Sequence, residues 1–121
     1  MGQVDFINVN YKSLQDTANL GHTVVSTGVG KLIKILACNS AASIKYLMVF
    51  DATSLPSNGT APTIATIAVP ASSSIEVDLA QVGGLTIANG IVLAESSSVL
   101  TLTSAGTDLI VTAFYAILSQ L

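Results

Sequence analysis

Two apolar runs frame the middle of the chain. The first is Ile44-Lys45-Tyr46-Leu47-Met48-Val49-Phe50 and the second is Thr63-Ile64-Ala65-Thr66-Ile67-Ala68-Val69-Pro70. Both are rich in β-branched, aromatic or long apolar residues, which suit a pleated, buried surface. Between them, Asp51 to Pro62 collects Pro56, Ser57, Asn58, Gly59 and Pro62, residues that set turn dihedrals and stop strands. The pattern predicts an antiparallel pair joined by a long irregular loop. Leu47 to Phe50 is apolar at every position, so this strand is expected to be central and covered on both faces.

Strand-like patterning continues on either side. Ile7, Val9 and Tyr11 alternate with Asn8 and Asn10, as an extended arm would. Lys12 to Leu20, with Leu14 and Ala18 four apart, is the one stretch with a helical spacing. Strands are expected at Thr23–Thr27, Leu32–Asn39 and Ile75–Leu79, the last with Glu76 and Asp78 on a wet face. Leu85–Ala88 and Ile91–Ala94 flank Asn89-Gly90, a hairpin signal of the type I′ kind. Val99–Thr103 and Leu109–Leu118 complete the set, with turns at Gly28–Lys31, Gly83-Gly84 and Ser104–Asp108. No inter-strand segment has the length or period of a helical crossover, which a parallel sheet requires. The expected fold is all-β: an antiparallel β-sandwich or jelly roll with an extended N-terminal arm. Residues 1–20 form the arm and 21–121 a single sandwich domain. Leu47, Val49, Phe50, Ile67, Val69, Val77, Leu102, Val111 and Ala113 are the expected core.

Composition changes the picture in one respect. Only 9% of the 121 residues are charged, half are hydrophobic, and mean hydropathy is +0.70. Soluble domains usually carry about 25% charge. A surface this poor in charge implies cover by other chains, so a homo-oligomer or larger assembly is expected. The net charge is −3, with four basic residues, all lysines. No basic patch can be built from them, which argues against nucleic-acid binding. The longest apolar run, Leu109 to Leu118, falls short of the ~20 residues of a membrane-spanning helix. Met1-Gly2-Gln3-Val4-Asp5 lacks the basic and apolar regions of a secretory leader, so folding in the cytosol is expected. Cys38, the single cysteine, sits in the apolar run Leu36-Ala37-Cys38 and reads as a small buried hydrophobe.

Candidate chemistry is sparse. His22 is the only histidine, and no Gly-x-Ser-x-Gly elbow accompanies it. One His and one Cys cannot furnish a zinc site within a protomer. Asp51, Glu95 and Asp108 are scattered singly, and Glu76 and Asp78 share the solvated face of one strand. The chain has no Trp to serve as a sugar platform. Gly28-Val29-Gly30-Lys31 lacks the rest of a phosphate loop. Asn58-Gly59-Thr60 matches a glycosylation acceptor but reads as a turn, and Asn58-Gly59 and Asn89-Gly90 as positions needing positive φ. No enzyme activity, catalytic residue, metal or cofactor is expected.

The order and spacing of several motifs resemble small virion proteins of tailed bacteriophages. They are Gly30-Lys31-Leu32, Asn39-Ser40, Lys45 to Asp51, Pro56 to Pro62, Ile67 to Ala71, Gly90 to Ala94, Leu100-Thr101, Ala105-Gly106 and Asp108-Leu109. The resemblance covers most of the chain after Leu20 and is to capsid decoration (cement) proteins. It implies a non-enzymatic β-structured protein on the virion surface, made in the host cytoplasm, that binds the major capsid protein and stabilises the shell. Its expected partners are itself, as a homotrimer suited to threefold positions, and the shell, without nucleic acid or membrane. Another virion part, such as a tail or head-completion component, and a carbohydrate-binding β-sandwich module are the alternatives. The arm lies outside the matched region. Its apolar anchors Phe6, Ile7, Val9 and Tyr11 are the candidate inter-subunit or capsid contacts, because an extended strand can add to a neighbour's sheet edge; the alternative is that the arm adds a strand to its own sandwich.

Overall fold

The computed structural model describes residues 10–14, 22–104 and 108–117. They form nine strands: β1 (Asn10–Leu14), β2 (His22–Thr27), β3 (Gly30–Asn39), β4 (Lys45–Asp51), β5 (Ala65–Val69), β6 (Ser74–Asp78), β7 (Leu85–Ile87), β8 (Gly90–Ser96) and β9 (Leu109–Ile117). Every pair of them is antiparallel. Sheet A has the order β1-β9-β3-β6, with short β7 beside β3 below β6; sheet B has the order β2-β8-β4-β5. Leaving β7 aside, β1 pairs with β9, β2 with β8, β3 with β6 and β4 with β5. That nesting is a long hairpin rolled into two sheets, the jelly-roll form of the β-sandwich.

The core between the sheets follows strand alternation. Leu32, Ile35, Ala37, Leu109, Val111 and Ala113 point in from sheet A and meet Val25, Leu47, Val49, Val69, Ile91 and Leu93 from sheet B. A fully buried side chain of this kind contributes about 1.5–3 kcal/mol. Seven of the nine expected core residues are buried. Ile67 and Val77 are half-buried against the same cluster, because they lie on β5 and β6 at the sheet margins.

Strand β4 is covered on both faces, as its unbroken apolar run requires. Leu47 and Val49 enter the main core, while Met48 and Phe50 join Val92, Ala94 and Leu102 in a second cluster with Ala52 and Leu55 against it. The cover comes from two loops laced together over the outer face of sheet B. Leu102 donates its N–H to Thr60 O at 2.8 Å, Gly59 donates to Leu102 O at 2.8 Å, and Ser104 donates to Asn58 Oδ1 at 3.1 Å.

Three local expectations are corrected. Val99–Thr103 is not a strand: Leu102 turns into the second cluster and leaves Leu100 75% exposed, so burial of one side chain overrides the alternation. Asn89-Gly90 is not a hairpin turn, since β7 pairs with β3 while β8 lies in the other sheet, and neither residue has positive φ. Lys12–Leu14 belongs to β1 rather than to a helix, because pairing with β9 supplies its backbone partners; residues 15–20 lie outside the described residues. A 3-10 turn at Ala80–Val82, absent from the sequence reading, leads into Gly83 and Gly84, whose φ values of 82° and 84° fit the expected turn.

Candidate interaction surface

The two sheets treat their outer faces differently. Sheet B is roofed over β4 and β8 by its own loops. Sheet A presents Lys34, Leu36 and Cys38 of β3, Ile110, Thr112 and Phe114 of β9, and Ser74, Glu76 and Asp78 of β6 on the face opposite the core. The register fixes the rows: Lys34 lies between Phe114 and Asp78, Leu36 between Thr112 and Glu76, and Cys38 between Ile110 and Ser74. A bulge between Leu32 and Lys34 restores this phase after Lys31.

Toward the Cys38 end the face is apolar. Leu36, Cys38, Ser74, Glu76, Ile110 and Thr112 line an open depression of about 450 Å³, and Ile110 is 51% exposed. Toward the other end, Lys34 Nζ lies 3.3 Å from Glu76 Oε2 and 5.9 Å from the centre of the Phe114 ring. An exposed pair of that kind is worth only about 0–1 kcal/mol, so it orders the rim more than it stabilises the fold.

Cys38 corrects an expectation: it is exposed. Ala37 and Asn39 on either side of it point inward, and strand alternation sends the thiol out. The run looked buried because the outer face of sheet A is itself apolar. Of the candidate arm contacts, Tyr11 stands in β1, in register with Phe114 of its own chain. Phe6, Ile7 and Val9 lie outside the described residues.

Two polar residues organise one end of the sandwich: Asn39, and Glu95, which the sequence reading took as an isolated carboxylate and which the fold brings to Asp108. Asn39 is buried at the end of β3. Its side-chain amide donates to Ser43 O and Val69 O, both at 3.0 Å, and to Pro70 O at 3.2 Å, while Oδ1 accepts the Ala41 N–H at 2.8 Å. It thereby fastens the β3–β4 link to the end of β5. Glu95 continues the inward series Ile91, Leu93, Glu95 on β8. Its Oε1 accepts the N–H groups of Asp108 at 2.8 Å and Leu109 at 2.9 Å. Their signal was a polar residue at an inward position of an apolar strand. At the opposite end, Asp51 caps the β7–β8 link through three backbone N–H groups. Burial raises the Asp51 carboxyl, but those hydrogen bonds outweigh it and hold the pKa below the ordinary carboxylate value.

Among the described residues no group of three or more His, Cys, Asp or Glu side chains is placed to hold a metal. No protein-family model and no curated protein matches the chain. Two solved structures are similar in part. The coat protein of Tobacco streak virus is 12% identical, with 95% of this chain and 90% of that chain covered at a TM-score of 0.36. A chain of the cyanophage Pam1 capsid asymmetric unit is 16% identical, with 91% and 84% covered at a TM-score of 0.35. Likeness at that level implies nothing about the role of this chain.

Proposed function

We propose that this chain is a virion structural protein, a bacteriophage capsid decoration protein that binds the outer shell as a homotrimer and reinforces it. The observation that carries the reading is the asymmetry of the sandwich: the chain's own loops cover the outer face of sheet B over β4 and β8, whereas sheet A presents Leu36, Cys38 and Ile110 to whatever lies against it. A chain with 9% charged residues has little else with which to solvate such a face. The motif order after Leu20, which resembles decoration proteins, supports the same reading.

The occupant of the open face is a second copy. Strand β1 begins at the edge of sheet A, and nine residues precede it, Phe6, Ile7 and Val9 among them. Nine extended residues reach ~30 Å, enough to cross a neighbouring sheet. A symmetric oligomer then meets the shell through several weak contacts at once, and such multivalency raises attachment by roughly 10²–10⁴ without any one contact being strong. Function on this reading is binding alone, with no catalytic step and no cofactor.

The test is addition of the purified protein to shells assembled without it. Saturable, stoichiometric addition and a higher shell melting temperature are expected, both reduced when residues 1–9 are removed. Failure to add overturns the decoration reading; gold labelling on the tail would move the protein to another place in the virion.

A further inference from the structure

The connection from β8 to β9 carries the chain from sheet B to sheet A, and it is pinned at both ends. At its start, the buried Ser96 hydroxyl accepts the N–H groups of Ser98 at 3.1 Å and Thr103 at 3.0 Å and lies 2.9 Å from Ser98 O. At its finish, Glu95 Oε1 takes the N–H groups of Asp108 and Leu109, the first residues of the returning chain. Between the pins, Val99 and Leu100 stand out into solvent. Glu95 is the fastening that reaches across the sandwich.

That fastening is an ionisable group in an apolar place. Glu95 is 2% exposed, and its second oxygen, Oε2, has no hydrogen-bond partner. Leu47, its register partner on β4, belongs to the core. The charged groups near it are few. Asp108 follows it across the loop, and Lys45 at the start of β4 reaches Asp108 Oδ2 at 3.6 Å. His22 of β2 is in register with Ala94, one position away. Lys45 is thus engaged by Asp108, and the described hydrogen bonds give Oε2 nothing that would stabilise a charge.

We infer that Glu95 is a proton-operated latch on Asp108 and Leu109, where the chain enters β9. As the neutral acid it keeps the two N–H groups on Oε1 and turns its proton toward the Asp108 carboxylate. As the carboxylate it places an under-compensated charge in the core beside Asp108, and the closed arrangement of Asp108 and Leu109 loosens. Burial pushes the Glu95 carboxyl upward, the N–H groups of Leu109 and Asp108 pull it back, and the Asp108 carboxyl pushes it up again; the net direction is up from an ordinary value of 4.5. The sign follows. A group held above its unfolded value binds its proton more tightly in the folded chain, so its stabilising effect is complete below about 4.5 and is lost as pH rises through the folded value.

The experiment follows the carbon-13 shift of the Glu95 carboxyl and the exchange protection of the Asp108 and Leu109 amides in the full chain across one pH series. Protection, corrected for intrinsic exchange, is expected to fall with the Glu95 midpoint, by roughly tenfold for each pH unit of displacement between the closed and open forms. Protection of the Leu47 amide should stay constant, and Glu95→Gln should hold the Leu109 amide protected at every pH. Constant Leu109 protection across the Glu95 titration overturns the latch. So does an equal fall in Glu95→Gln, which would assign the effect to Asp108 or Lys45. If Glu95→Gln does not fold, Asp108→Asn takes its place: a fall in Leu109 protection that still follows the Glu95 midpoint supports the latch, and its disappearance overturns it.

Discussion

Asn89 donates its backbone N–H to Asp51 Oδ1 at 2.8 Å, and this one contact explains why an Asn-Gly pair between two apolar runs makes no hairpin. Asp51 closes β4, and its carboxylate also takes the N–H groups of Gly90 at 3.1 Å and Ala88 at 3.2 Å. The β7–β8 link is therefore held by a side chain of β4 while its two strands go to different sheets.

Replacing Asp51 by Ala should cost about 2 kcal/mol, because hydrogen bonds to a charged acceptor are among the stronger ones. The acid limb of the stability curve should change with it. The Asp51 carboxyl is held below its unfolded value, so its contribution is present above that value and is lost as pH falls through the folded one. Urea midpoints measured from neutral to acid pH should show a steeper acid loss in the wild type than in Asp51→Ala. Equal slopes would mean that the three N–H contacts do not depend on the charge.

Phe50 packs in the cluster roofed by the two laced loops. Phe50→Ala should cost about 3–5 kcal/mol by denaturant titration, the usual range for emptying a buried aromatic site. A loss below about 1 kcal/mol would mean that the loops collapse into the space or do not cover sheet B.

Gly84 and Gly59 both have positive φ, but their surroundings differ. A Cβ on Gly84 would sit 3.3 Å from Lys31 Cβ and 3.4 Å from Leu32 O, whereas one on Gly59 would meet nothing within 4 Å. Gly59→Ala should cost about 1–2 kcal/mol from the left-handed backbone alone. Gly84→Ala should cost more, because the close approach to β3 adds to the same penalty. Thermal melts of the two variants give the order directly.

Cys38 stands at the middle of the open apolar end of sheet A. Its alkylation by a small maleimide should be fast at high dilution and slow at concentrations where copies associate. An equal rate at all concentrations would place the contact between copies elsewhere.

Much of the fold was legible because strand alternation and turn chemistry are local. The doubly apolar run Leu47–Phe50 announced a strand covered on both sides, and the Glu76/Asp78 alternation announced a wet face. The failures were tertiary. Leu102 left its strand pattern to fill a hole over Met48 and Phe50, and the Asn89-Gly90 pair was captured by Asp51, 38 residues away in sequence. The candidate surface was half legible: low charge said that some face must be covered, but the apolar run around Cys38 concealed which face it was. Glu95 and Asn39 were readable only as polar interruptions of inward rows, a signal that the neighbouring serines and small residues blurred.

On the proposed function, the outer face of sheet A belongs to other copies of this chain. Light scattering behind size exclusion at micromolar concentration tests it most directly, with Ile110→Lys run beside the wild type. The wild type is expected at a multiple of 12.3 kDa, three being the expected number for a homotrimer, and Ile110→Lys is expected to shift toward a folded monomer. A wild type that remains at 12.3 kDa as its concentration is raised would contradict it.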